Sequence, residues 1–291
     1  MGHLDRVPAW MLAVGAMFSV QAGAAVSISL FSSIGVAGTA WLRLTLAAAV
    51  LIAWVRPRYT AWSWHELRMP MLLGVFSALN TIAFLAAIDR LPLGTAVAIE
   101  FLGPLTLATM HSRSRAALVW PLLALIGVLT LTEPWNGSVN VIGLAFAVAA
   151  GIGWALYIVI TQHVGDRFEG LDGLAISIPV AAVVSAVVGI PQAWGGITWQ
   201  VLGIAVVAAI LLPLIPYAFE MHALRRLTAA SFGTLMALEP GFGTLIGAIG
   251  LHQIPTAVQV GGVACVVVAG IGAERIGHRE DEPARLESLG G

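Results

Sequence analysis

The chain has 291 residues, 59% hydrophobic and only 10% charged, with a formal net charge of −1. A soluble domain carries about 25% charged residues, so this chain has too little polar surface to cover a water-facing globule. The near-neutral balance favours neither nucleic acid nor acidic lipid as a partner, and the composition reads as an all-α polytopic membrane protein.

Runs of roughly 20 apolar residues are long enough to cross the hydrocarbon core as helices. Ten are present, at about 8–30, 35–55, 69–88, 92–111, 116–133, 140–162, 173–191, 200–222, 229–250 and 256–274. The first mimics a signal peptide, with Ala22-Gly23-Ala24 as a small-residue cleavage site. Its apolar character continues to Leu30, however, and its leading stretch sets Arg6 against Asp5, so it reads as an uncleaved span. Connections are short and marked by Pro or Gly, as in Leu91-Pro92-Leu93 and Glu133-Pro134-Trp135-Asn136-Gly137. The single Cys265 lies in an apolar run, which excludes an internal disulfide and a cysteine metal cluster.

The chain has no lysine, so all 14 basic residues are arginine. With the N-terminus inside, every arginine except Arg90, which faces out, and Arg43, which lies within the second span, falls on the inner side. The positive-inside rule therefore predicts both termini in the cytoplasm. An internal repeat is visible by offset. Arg90-Leu91 recurs as Arg226-Leu227 and Pro104 as Pro240, both 136 positions on, while Ala83-Phe84 recurs as Ala218-Phe219 one residue out of phase. Five spans per half is an odd number, so the second half must be inverted, an arrangement recurrent in transporters. The expected organisation is a first repeat over 1–136, a second over 137–275 and a cytoplasmic tail over 276–291.

Ionisable groups within spans cost roughly 2.5–3.5 kcal/mol each on insertion scales and are functional candidates by default. Here they are Arg43, Glu100, Glu220 and Glu239. Arg43 either snorkels to the outer interface or serves function or inter-helix pairing. Glu100 is too short and too central to snorkel. It is protonated, faces a wet cavity, or forms a static ion pair with Arg43. Pro104 frees the backbone carbonyl of Glu100, and Pro240 that of Met236, so both prolines are expected to kink their helices. At about 100° per residue, Glu100 and Glu239 differ by about 60° in facing direction relative to their prolines, which points both toward one space. Glu220, near an inner helix end beside Arg225 and Arg226, fits a structural salt bridge as well as transport chemistry. His222 reads as an interfacial or packing histidine. Gln21, Asn80, Thr81, Trp154 and Tyr157 are the neutral groups available to complete a polar pocket. Ser27, Ser29 and Thr45 fit bonds to their own helix backbone, and Gly243-x-x-x-Gly247 reads as close helix packing.

The ordered motifs Ser19-Val20-Gln21, Leu42-Arg43-Leu44, Leu91-Pro92-Leu93-Gly94, Ala98-Ile99-Glu100-Phe101, Gly103-Pro104 and Trp154-Ala155 continue through Tyr157-Ile158, Pro216-Tyr217, Glu220-Met221, Phe232-Gly233-Thr234 and Glu239-Pro240. Over essentially the whole chain they resemble the drug/metabolite transporter superfamily, specifically ten-span exporters of the EamA type. The resemblance implies amino-acid efflux, with threonine and homoserine as substrates, by proton antiport through a central cavity between two five-helix halves. It implies no cofactor, and places Tyr217 with the substrate-binding set. One departure stands out: these families often end the ninth span in Leu-Gly-Glu, where this chain has Leu251-His252-Gln253, so no role is assigned to Gln253.

The reading is a bacterial inner-membrane exporter of small neutral amino acids, its partners being the substrate, protons and the bilayer. Arg43 holds the substrate carboxylate, Glu100 or Glu239 attracts the ammonium and exchanges protons, and Gln21, Asn80, Trp154, Tyr157 and Tyr217 shape the pocket. A broader exporter of aromatic metabolites and a passive channel are the alternatives. An enzyme is the weakest, since no nucleophile–base or metal-ligand set falls on facing helices.

Overall fold

The computed structural model describes residues 7–57, 62–110, 118–136, 139–165, 167–168, 171–224, 226–227 and 229–289. The side chains of a few residues within the tenth and eleventh helices, Tyr217 among them, and those beyond Ala273 lie outside the described residues. All regular structure among the described residues is helical. The helices are α1 (Ala9–Ile28), α2 (Phe31–Val55), α3 (Trp64–Ile88), α4 (Leu93–Glu100), α5 (Leu102–Met110), α6 (Val119–Thr132), α7 (Val141–Gly165), α8 (Asp172–Ala193), α9 (Trp199–Ala209), α10 (Ile215–Leu224), α11 (Ala229–Met236), α12 (Glu239–Gly250) and α13 (Ala257–Leu289). Among the described residues, seven segments are long and apolar enough to cross a membrane, and three shorter apolar helices, Val119–Thr132, Thr234–Gly250 and Ala257–Ala273, accompany them.

Three of the expected continuous spans are interrupted. The fourth breaks at Phe101, between α4 and α5, where Pro104 can offer no N–H to the carbonyl of Glu100. The ninth breaks at Ala237-Leu238, so that Glu239 and Pro240 open α12, a position where a missing N–H costs no helical bond. The eighth is divided by a π-helical turn, Ile210–Leu214, in which Leu212 leaves helical geometry just before Pro213.

The chain forms two compact units, and neither is one half of the sequence. The first comprises Met1–Gln21, Leu91–Val141 and Ile215–Gly291; the second comprises Ala22–Arg90 and Ile142–Leu214. In the first unit α4 packs on α12 and α6 on α13. In the second, α2 and α3 both pack on α8. Without a hydrophobic driving force in lipid, such contacts depend on small residues that let backbones approach. Gly94 faces Thr244, Gly127 faces the Gly262 carbonyl, and Gly189 accepts the Trp41 side chain against its backbone. A side chain at any of these three would collide with its neighbour. Gly243 and Gly247 are likewise buried, against Val97 and Leu93 of α4.

One device in the second unit repairs a helix break. Gly35 adopts φ 68°, ψ 176°, a conformation essentially confined to glycine, inside α2. The amides of Ala37 and Gly38, left without regular partners, both donate to Oε1 of Gln192 on α8, at 2.6 and 3.1 Å. An open backbone amide in lipid costs several kcal/mol, so a side-chain amide from the neighbouring helix supplies what water cannot.

Candidate functional site

In the first unit the apolar core around α1 seats Leu12 and Ala13 against Ala223, with Phe219 and Phe232 alongside. Further along the same helix α1 carries Gln21, only 1% exposed. Its Nε2 donates to Oε1 of Glu239 over 3.2 Å, and Glu239 is itself 5% exposed. The other oxygen of each group, Gln21 Oε1 and Glu239 Oε2, is buried with no hydrogen-bond partner among the described residues. Gly243, one turn along α12 from Glu239, lies beside the amide: a Cβ there would be in ordinary contact with Gln21 Oε1, at 3.5 Å, and tight only against Val97, at 3.1 Å. Glu220 on α10 lies within electrostatic reach of Glu239. The sequence separates Gln21 and Glu239 by 218 positions. The fold makes them a pair.

Glu100 is the last residue of α4, buried and partnered. It belongs to the same unit as Glu239, on helices that pack together. Their helix ends differ in polarity. Glu239 stands in the first turn of α12, at the positive end of that helix dipole, whereas Glu100 is the last residue of α4, at the negative end of its own.

The second unit contributes a buried cation. Arg43 is 3% exposed on α2, which sets aside the snorkelling alternative, and its Nη1 donates to Ser27 Oγ at 3.2 Å. Ser27 in turn donates to the carbonyl of Gly23 at 2.7 Å, so its hydroxyl is committed as an acceptor toward the guanidinium. Arg43 Nε is buried without a partner among the described residues. The described acids of this unit are Glu66, Asp89 and Asp172; none pairs with Arg43, and Asp89 instead bridges Arg90 at 3.0 Å. The anticipated partner Glu100 belongs to the other unit. Asn80 on α3 sits against Gly153 of α7 with its Oδ1 unpartnered, one residue from Trp154, which like Tyr157 is half-buried and engaged. Thr45 and Thr161 also bury hydroxyls without partners among the described residues, so Thr45 departs from the expected backbone bond. The side chain of Tyr217 lies outside the described residues.

Two glutamines have roles that the sequence did not assign, Gln192 unremarked there and Gln253 marked only as a departure. Gln192 spans the α2 break, and Gln253 Oε1 accepts the amide of Leu93, at the first residue of α4, over 2.8 Å. The Gln253 backbone N–H bonds the Gly247 carbonyl at 2.9 Å, and His252 before it takes a positive φ of 57°. The Leu251-His252-Gln253 departure is therefore a cap that ties the end of α12 to the start of α4. A cavity of about 310 Å³ lined by Trp41, Ile190, Ala193, Trp194, Gly195 and Ile197 contains none of the anticipated residues. His222 bonds the carbonyl of Ala218 through Nδ1 at 2.7 Å, a packing role.

Residues 141–272 match the EamA-like transporter family. The chain is 34% identical to the Threonine/homoserine exporter RhtA of Escherichia coli strain K12, over 98% of this chain and 99% of the relative. It is 33% identical, with the same coverage, to the Threonine/homoserine exporter RhtA of Salmonella typhimurium strain LT2. A solved crystal structure that shares 18% sequence identity superposes with a TM-score of 0.60, covering 92% of this chain and 95% of that chain, and so has the same fold. With apolar helices of membrane-crossing length and identity at a third of positions over nearly its whole length, this multi-pass membrane protein belongs to the EamA-like transporter family.

Proposed function

We propose that the protein exports small neutral amino acids of the threonine and homoserine kind across the bacterial inner membrane, by proton antiport and alternating access. Ten spans form two inverted five-helix repeats in this reading, with both termini cytoplasmic. The observation that carries it is the 34% identity over 98% of the chain to an exporter of those two amino acids. The buried chemistry supports it independently. An amino acid is a zwitterion, and the chain buries both a cation, Arg43, and carboxylates, Glu100 and Glu239. Arg43 holds the substrate carboxylate through its planar fork of donors. Asn80, Trp154, Tyr157 and Tyr217 shape the pocket around the side chain. Glu100 and Glu239 attract the ammonium, and one of them exchanges the proton, with Gln21 completing the acidic part of the site. Antiport follows when substrate and proton compete for one carboxylate, because each then favours a different state of the transporter.

Counterflow in proteoliposomes tests this directly. Radiolabelled threonine should exchange, and an imposed pH gradient should drive it against its concentration gradient. No exchange would remove the substrate assignment. Exchange indifferent to the pH gradient would remove antiport while leaving export intact. Conductance in planar bilayers without counterflow would replace the transporter with a channel.

A further inference from the structure

The Gln21–Glu239 pair in the first unit has two features that an ordinary buried hydrogen bond lacks. Gln21 Nε2 donates to Glu239 Oε1 at 3.2 Å, and the two remaining oxygens, Gln21 Oε1 and Glu239 Oε2, are both buried and both without a partner among the described residues. Buried polar atoms are satisfied in all but a few cases, and each orphan costs about 1–3 kcal/mol. Two acceptors cannot satisfy each other. One added proton resolves both: carried on Glu239 Oε2, it makes that oxygen a donor to Gln21 Oε1, and closes a two-bond ring between carboxylic acid and amide.

We infer that Glu239 and Gln21 form the proton-carrying element of the transporter, as an acid–amide pair in which Gln21 positions the proton on Glu239. This deepens the proposed antiport and rests on that reading for its physiological meaning. The proton stays a proton throughout; Glu239 takes it as a carboxylate and releases it as a carboxylic acid. Both states find compensation in place. The neutral acid has the amide on two sides, and the carboxylate retains the Nε2–H bond and stands at the positive end of the α12 dipole.

The surroundings hold few competing charges. Glu220 and His222 lie on α10, with Glu220 in electrostatic reach. Glu100 lies on α4, which packs on α12. The part of α1 within this unit and all of α11 carry no acid or base, and the described side chains of α13 include only Cys265. His222 is occupied by the Ala218 carbonyl. Among the described residues no group of three or more His, Cys, Asp or Glu side chains is placed to hold a metal ion.

Infrared difference spectroscopy of the full-length protein in proteoliposomes, titrated in pH without substrate, tests the pair. The expected result is a carboxylic-acid carbonyl band that titrates, vanishes in Glu239→Gln, and moves to higher wavenumber in Gln21→Leu as the acid loses its amide partner. Gln21→Leu keeps every acid, and its band position decides the question if Glu239→Gln fails to fold. A band unchanged in Glu239→Gln, unmoved in Gln21→Leu, or displaced by sodium at constant pH would overturn the inference. The readout needs no substrate. A titrating, Gln21-sensitive band in vesicles that do not exchange threonine would sustain the pair and sink the substrate assignment, while threonine exchange without such a band would do the reverse.

Discussion

Arg43 is the residue whose environment is least explicable by packing alone. It is buried to 3% exposure, its bond to Ser27 engages one nitrogen, and its Nε points at no partner among the described residues. Removing a charge-assisted hydrogen bond costs roughly 1.5–3 kcal/mol, so Arg43→Gln should raise the half-saturating threonine concentration in counterflow by about 10- to 100-fold. Arg43→Lys keeps the charge but loses the fork, and should recover only part of that affinity. Equal affinity in both variants and the parent would show that Arg43 holds structure and not substrate. The ionisable groups were legible in the sequence because a charge in an apolar run is conspicuous wherever it folds. Their partners were not. Glu100 could be matched with Arg43 on charge alone, whereas the amide that touches Glu239 lies 218 positions away.

At the scale of the helices, the breaks and their repairs set where those residues stand. Gly35 tolerates φ 68° and lies against Gln192, so Gly35→Ala should destabilise the protein through both strain and collision, by more than the roughly 1–3 kcal/mol that an unfavourable backbone conformation alone costs. Thermal unfolding in detergent, followed by loss of monodisperse protein, reads the effect. Gln253 offers a cleaner comparison. Gln253→Leu leaves the Leu93 amide without its side-chain acceptor and should cost about 1–3 kcal/mol. Gln253→Glu keeps an acceptor oxygen on the same stem, and should retain most of the stability. If the leucine variant melts with the parent, the cap is incidental. Proline marked the neighbourhood of two breaks in advance, because the lost N–H is a local fact. Which residue ended each helix was decided by packing, and this put Glu100 at a C-terminus and Glu239 at an N-terminus.

For the whole molecule, the sequence repeat and the compact units cut the chain differently. The repeat divides it near residue 136, while each unit gathers segments from both sides of that point. Orientation is a prediction of the arginine distribution, and single-cysteine labelling checks it. In a Cys265→Ala background, cysteines at Trp135 and Ile197 should react with a membrane-impermeant maleimide in intact cells, and one at Arg226 only after permeabilisation. The reverse pattern would invert the topology, and two sides for Trp135 and Ile197 would overturn the span count.

Composition and hydropathy alone determined the class of this protein, because 59% apolar residues in runs of bilayer length have no other stable solvent. They also exposed the buried charges, since the cost of such a group is set by its own solvation. Only the tertiary structure decided the pairings: Gln21 with Glu239, Gln192 with the α2 break, and Gln253 with the start of α4. Amide side chains look ordinary in sequence. What gives them a role is a distant backbone or carboxylate with no water to turn to, and that exists only once the helices have packed.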